Sequence, residues 1–133
     1  MNGRLVLILP LLAFFALAAL LLRGLSLDSE TLPSALLGKP FPEFSLQRLE
    51  DEAVTVDKAS LIGAPVLVNV WATWCGSCRV EHRYLNQLAA QGVRIVGLNY
   101  KDNRAKATQW LADLGDPYVS NIYDPEGSLG FDL

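Results

Sequence analysis

Hydrophobic and polar positions change rhythm several times along the chain, and each change predicts an element. Leu5 to Leu22 are eighteen apolar residues without a charge. As a helix they span about 27 Å, close to the roughly 30 Å hydrocarbon core of a bilayer. Pro10 lies early in this run and is a candidate kink. From residue 24 the pattern breaks into Ser, Asp, Thr and Pro, a linker composition. Phe44, Leu46 and Leu49 then read as a short strand, Glu50-Asp51-Glu52 as a solvated turn, and Ala53 to Val56 as the returning strand. Pro65 to Trp71 is a continuous apolar, β-branched run, the pattern of a buried strand.

Helical spacing begins at about Cys75, with Val80, Tyr84, Leu85 and Leu88 on one face and Gly92 as the stop. Val93 to Leu98 reads as a second buried strand. Strand, helix and strand in this order imply a parallel pair with a right-handed crossover. Asp102 or Asn103 can cap the next helix, whose inward face is Ala107, Trp110, Leu111 and Leu114 and which Gly115 ends. Tyr118 to Tyr123 is a third short strand, Asp124-Pro-Glu-Gly a turn, and Ser128 onward the start of another helix. The pattern is α/β, with no internal repeat.

Charge and composition narrow the function classes. At 133 residues the chain holds one domain and little more. The formal charge is −3; without Arg4 and Arg23, nine basic residues stand against fourteen acids over residues 24–133. No basic patch points to nucleic acid. The first apolar run reads as an N-terminal membrane anchor. Ala16-Leu17-Ala18 imitates a signal-peptide cleavage site, but four more apolar residues follow it. Arg4 and the free amine precede the run, and Asp28 and Glu30 follow soon after Arg23, so the positive-inside tendency places the N-terminus in the cytoplasm.

The only two cysteines, Cys75 and Cys78, sit where strand hands over to helix. A helix N-terminus carries unpaired N–H groups and about half a positive charge, which favours an anion. The thiolate is the form that attacks disulfides. Stabilising it by about 2 kcal/mol lowers a thiol pKa from about 8.5 to about 7. Cys78, one turn on, can close a ring with Cys75 and release a mixed disulfide. A structural staple is the plain alternative, but so short a loop removes only about 2 kcal/mol of chain entropy. A metal site would need further ligands, and His82 is the only histidine to add. A c-type haem attachment would need His directly after the second cysteine, where Arg79 stands.

The neighbours have two readings each. His82, four residues after Cys78, could accept its proton, but a partly solvated structural histidine carries more weight. Glu81 reads as solvent-facing more than as a docking residue. Arg79, four residues after Cys75, could modestly favour its thiolate. Trp74 reads as shielding Cys75 and meeting partners; Trp71 and Trp110 read as core.

WATWCGSC after VLVNV, followed by RVEHRYLNQL and the later GLNYKD and DPEGSLGFDL segments, resembles a thioredoxin-like protein. The similarity is to the membrane-anchored DsbE/CcmG family of cytochrome c biogenesis reductases, from Gly38 onward. The resemblance implies a thioredoxin-like fold with an N-terminal hairpin after one transmembrane helix. It divides the chain into an anchor (1–23), a linker (24–37) and a partial thioredoxin-like domain (38–133). Thioredoxin-like folds continue with a cis-proline loop, two strands and a closing helix, so the expectation is of a truncated, C-terminally incomplete product; Pro117 and Pro125 do not match the cis-proline motif. Gly76-Ser77 lacks the proline usual between the cysteines, and Asn69 stands where thioredoxin has a buried acid.

What the resemblance implies is a thiol–disulfide oxidoreductase working as a reductant, with Cys75 and Cys78 catalytic. No cofactor and no metal are expected beyond the redox-active disulfide. The implied partners are apocytochrome c or a thiol protein of cytochrome c maturation, and a DsbD/CcdA-type membrane electron donor. The implied location is the bacterial inner membrane, with the C-terminal domain in the periplasm. A non-catalytic copper- or apocytochrome-binding module, or an inactive fragment, is the alternative.

Overall fold

The computed structural model describes residues 3–25 and 36–133. The chain divides into two compact units, Met1–Gly38 and Lys39–Leu133. In the first, helix α1 runs over Gly3–Leu25 and continues through Pro10. Its Ile8–Leu25 window is long and apolar enough to cross a membrane, and none of it is buried. Most of the expected linker, residues 26–35, lies outside the described residues.

The second unit is built on a five-stranded sheet. The strands are β1 (Ser45–Arg48), β2 (Thr55–Asp57), β3 (Leu67–Trp71), β4 (Ile95–Tyr100) and β5 (Ser120–Asp124). Their order is β2-β1-β5-β4-β3. β1 and β2 form the expected antiparallel hairpin, and β1 also runs antiparallel to β5. β3, β4 and β5 are parallel, with Val68 opposite Val96 and Leu98 opposite Ile122. The helices α2 (Gly76–Ala90), α3 (Arg104–Leu114) and α4 (Ser128–Asp132) follow β3, β4 and β5 in turn. A 3-10 turn at Lys58–Leu61, capped by Asp57, was not legible in the pattern.

Strand β4 is buried from Ile95 to Asn99, and its alternating side chains feed two cores. One holds Leu49, Trp71, Ile95, Ala107, Trp110, Leu111 and Tyr118, with Cys78, Leu85, Leu88 and Ala89 of α2 packed against it. The other holds Val56, Val96, Leu98, Ile122 and Leu129. Trp71 stacks on Trp110 at 4.9 Å and on Tyr118 at 5.7 Å. Gly97 makes room for this stack: a Cβ there would lie 2.2 Å from Asn121 Oδ1 and 2.8 Å from Trp71 Nε1.

Two expectations are corrected. β3 pairs only with β4 among the described residues, so Leu67 and Val70 are exposed rather than buried. The inward face of α2 is also rotated. Val80 and Tyr84 face outward, at 64% and 50% exposure, and His82 takes the buried position instead. Hydrophobicity alone would have turned Val80 in; the partner that α3 offers the imidazole, described below, turns His82 in.

Candidate active site

The turn between β3 and α2 carries both cysteines. Cys75 is the N-cap of α2, with extended backbone (φ −84°, ψ 106°), and its Sγ accepts a hydrogen bond from the Cys78 amide at 3.2 Å. The sulfur thus occupies the place that a Ser or Asp oxygen takes at other helix starts. Ser77 Oγ lies 3.4 Å from the same sulfur, and as the oxidised sulfur carries no proton the hydroxyl donates. Cys75 and Cys78 are joined as a disulfide, their Cα atoms 5.3 Å apart. The first turn of α2 contains no acid to oppose an anion there.

An apolar hollow of about 90 Å³ adjoins both sulfurs, lined by Val70, Trp71, Ala72, Trp74 and Tyr100. A larger hollow of about 680 Å³, between the β1–β2 hairpin and α3, contains neither cysteine. The chemistry therefore belongs to the smaller one. Trp74 is 64% exposed beside Cys75, and its indole N–H donates to the Lys101 carbonyl at 3.1 Å. Lys101 adopts a left-handed conformation (φ 47°), uncommon for a residue with a side chain.

The residues ahead of Cys75 are held by a carboxylate. Asp102 accepts from the Thr73 amide at 2.5 Å and from the Thr73 hydroxyl at 2.7 Å. It also accepts from Asn99 Nδ2 at 3.1 Å and from the Asn103 amide at 2.8 Å. Its own carbonyl accepts from the Tyr123 hydroxyl at 3.0 Å. Burial alone would push the Asp102 carboxyl up, but the donors from Thr73, Asn103 and Asn99 outweigh it and hold the group below its ordinary 3.8. Of the two candidate caps, Asn103 caps α3, accepting from the Lys106 amide at 3.1 Å, and Asp102 clamps the cysteine turn. Sequence reasoning missed this role because Thr73 and Asp102 are 29 residues apart.

Behind Cys78, α2 is fixed to the end of α3. His82 is 2% exposed, correcting the partly solvated expectation. Its Nε2 lies 2.8 Å from the Gly115 carbonyl, and Asn86 Nδ2 donates to the Leu114 carbonyl at 3.0 Å. The His82 ring sits edge-on to Trp110 at 4.3 Å. Trp71 and Trp110 are core, as expected. Glu81 and Arg79 are on the exposed side of α2. Asn69 donates to the Tyr118 hydroxyl at 2.9 Å. No cluster of three His, Cys, Asp or Glu suited to a metal occurs among the described residues.

Parallel strands feeding a helix whose first turn holds a Cys-x-x-Cys disulfide beside an apolar hollow define a thioredoxin-like thiol–disulfide oxidoreductase. The Redoxin family profile matches residues 36–133. The thiol:disulfide interchange protein DsbE of Pseudomonas aeruginosa is 55% identical over 130 residues, spanning 98% of this chain and 72% of that protein. DsbE of Escherichia coli K12 is 52% identical over 136 residues, spanning 98% of this chain and 74% of that protein. A solved secreted Mycobacterium tuberculosis disulfide oxidoreductase, homologous to E. coli DsbE, matches at 26% identity with a TM-score of 0.58. That match covers 65% of this chain and 63% of the solved one, so the chain spans just under two-thirds of that protein. The chain belongs to the Redoxin family, among the DsbE thiol:disulfide interchange proteins.

Proposed function

We propose that Cys75 is the attacking sulfur and Cys78 the resolving one in a reductant of protein disulfides. The observation that carries this is the place of Cys75 Sγ as hydrogen-bond acceptor at the start of α2. In the dithiol form a thiolate there accepts a charge-assisted bond and faces the positive end of the helix. It attacks one sulfur of the target disulfide, forms a mixed disulfide and displaces the other target sulfur. Cys78 then attacks Cys75, the Cys75–Cys78 bond forms, and the target leaves as a dithiol with two electrons gained. The exposed Trp74 and the hollow beside it offer a target segment apolar contact at the reacting sulfur.

The target we infer is the haem-binding Cys-x-x-Cys of apocytochrome c, or a thiol protein of the same maturation pathway. Residues 1–23 act as anchor, 24–37 as linker and 38–133 as the thiol domain, held on the periplasmic side of a bacterial inner membrane. The charge asymmetry around the apolar run supports this orientation. A reductant in an oxidising compartment must be recharged across the membrane, which calls for a DsbD/CcdA-type donor. Tethering raises the effective concentration of donor and target.

The test is reduction of an oxidised apocytochrome c Cys-x-x-Cys peptide by the full chain in detergent, with Cys75→Ser and Cys78→Ser alongside. Expected are reduction by the parent, none by Cys75→Ser, and a trapped mixed disulfide on Cys75 in Cys78→Ser. A trapped adduct on Cys78, or a couple more oxidising than glutathione, would overturn the assignment.

A further inference from the structure

Resolution needs a proton acceptor for Cys78, and the reaction above leaves that acceptor unassigned. Asn69, in the strand beneath the cysteines, carries no titratable proton and spends its amide on Tyr118. Tyr118 is itself pushed far up by burial, so its phenolate is out of reach at neutral pH. Glu81, three residues along α2 from Cys78, is exposed to solvent.

His82 is different. It is the one histidine in the chain, and it is buried. A carbonyl cannot donate, so the His82 Nε2 facing Gly115 carries the ring proton, and Nδ1 is left with its lone pair. That Nδ1 is buried without a hydrogen-bond partner. An unpaired buried acceptor costs about 1–3 kcal/mol. An apolar side chain would fill the same place without that cost. His82 lies four residues along α2 from Cys78, where Cβ atoms on one helix face are about 5–6 Å apart. Helical side chains lean toward the N-terminus, which here is the cysteine turn. Cys78 packs against the cluster of Trp110 and Tyr118, the two rings nearest the imidazole.

We propose that His82 is the general base for Cys78, taking its thiol proton on Nδ1 while Gly115 holds the ring by Nε2. The proposal rests on the assignment of Cys78 as the resolving sulfur. The S–H bond of Cys78 breaks and its proton moves to Nδ1. The sulfur electron pair attacks Cys75 Sγ, forming the Cys75–Cys78 bond. The bond from Cys75 to the target sulfur breaks, and that sulfur leaves with the pair and is protonated. His82 then releases its proton to water. Positive charge on the ring is met by the carbonyl end of α3 at Leu114 and Gly115. The other titratable groups near the ring are Tyr118, against the same cluster, with Asp116 after α3 and Glu81 beside it on α2.

His82→Gln separates the base from the staple, because a glutamine amide can still donate to the Gly115 carbonyl but cannot take the proton. Rapid-quench mass spectrometry of the full chain in detergent, reacting with a peptide disulfide, follows formation and decay of the Cys75 mixed disulfide. Formation is expected within about twofold of the parent. Decay is expected to slow at least about tenfold, as for loss of a general base, and to lose the parent's pH dependence. Asn86→Ala removes the other bond from α2 to α3 and is expected to leave decay unchanged. Decay of His82→Gln at the parent rate and pH profile overturns the proposal. Should the variant not fold, NMR of the single imidazole decides. Its titration in the reduced chain must differ from that in Cys78→Ser, and coincident curves overturn the proposal. Absence of any Cys75 mixed disulfide in the parent would instead sink the functional assignment, and this proposal with it.

Discussion

Ahead of Cys75, Thr73 and Trp74 lie near the surface and are held by hydrogen bonds to the Tyr100–Asn103 loop, chiefly to one carboxylate. Behind Cys78, α2 is held by burial, with His82 and Leu85 against the aromatic stack of Trp71, Trp110 and Tyr118. On the proposed function the upstream side receives the target, so burial cannot fix it: covering the exposed Trp74 would close the approach to the sulfur. A carboxylate accepting from backbone and side chain fixes the segment and leaves it open. The downstream side is buried and can be packed. Loss of a downstream group should therefore be felt by the whole fold, and loss of an upstream group by the site.

The largest effect that probes this contrast is Trp110→Ala. It removes a ring stacked on Trp71 and set against His82, and should cost about 3–5 kcal/mol in urea denaturation. A cost under about 1 kcal/mol, the range of surface changes, would mean the downstream side is not held by packing at all.

Asp102→Ala comes next, at about 1–3 kcal/mol, since it strands the buried Asn99 amide and frees Thr73. Its signature is pH dependence. The Asp102 carboxyl is held below its ordinary 3.8, so its contribution is complete above 3.8 and is lost as pH falls below that value. Parent and variant should differ at pH 7 and draw together as pH falls below 3.8. Curves that stay parallel would show that the charge is not what holds the turn. Hydrogen exchange at the Thr73 amide should speed up in the variant well before the core opens.

The two sides also differed in how far they could be read from sequence. Cys75 at the helix start, the Asn103 cap and the buried tryptophans were legible because each depends on a few adjacent residues. The parallel order of β3 and β4 followed from the crossover rule. The Thr73–Asp102 clamp was not legible, because a turn on one strand and a loop after another meet only once the sheet has formed. The burial of His82 escapes the sequence for a related reason. Which face of α2 turns inward depends on what waits there, and the Gly115 carbonyl offers an imidazole a bond that it cannot offer Val80. Composition predicts a buried β3, but it cannot say how many neighbours a strand has.

Asn86→Ala tests the downstream side at its polar edge. It removes one bond, to the Leu114 carbonyl, and should cost about 1 kcal/mol by denaturation, with the rate of mixed-disulfide formation unchanged. A drop in that rate would mean that α2 transmits its seating on α3 to Cys75, and the two sides would no longer be separable.

Trp74→Phe should give the smallest change in stability and the most local change in chemistry. The substitution keeps an aromatic ring and deletes one N–H···O bond, to the Lys101 carbonyl. With the residue 64% exposed, little burial is lost, and stability should fall by less than about 1 kcal/mol. The freed ring no longer has one orientation over the approach to Cys75. A protein disulfide, which needs that surface, should react about twofold to tenfold more slowly, the equivalent of one hydrogen bond. A small disulfide that reaches the sulfur without touching Trp74 should react at the parent rate. Equal slowing of both substrates would place the effect in the sulfur itself rather than in the docking surface. A stability loss of about 2 kcal/mol or more, beyond what one exposed hydrogen bond supplies, would make Trp74 a structural residue and erase the distinction between the two sides.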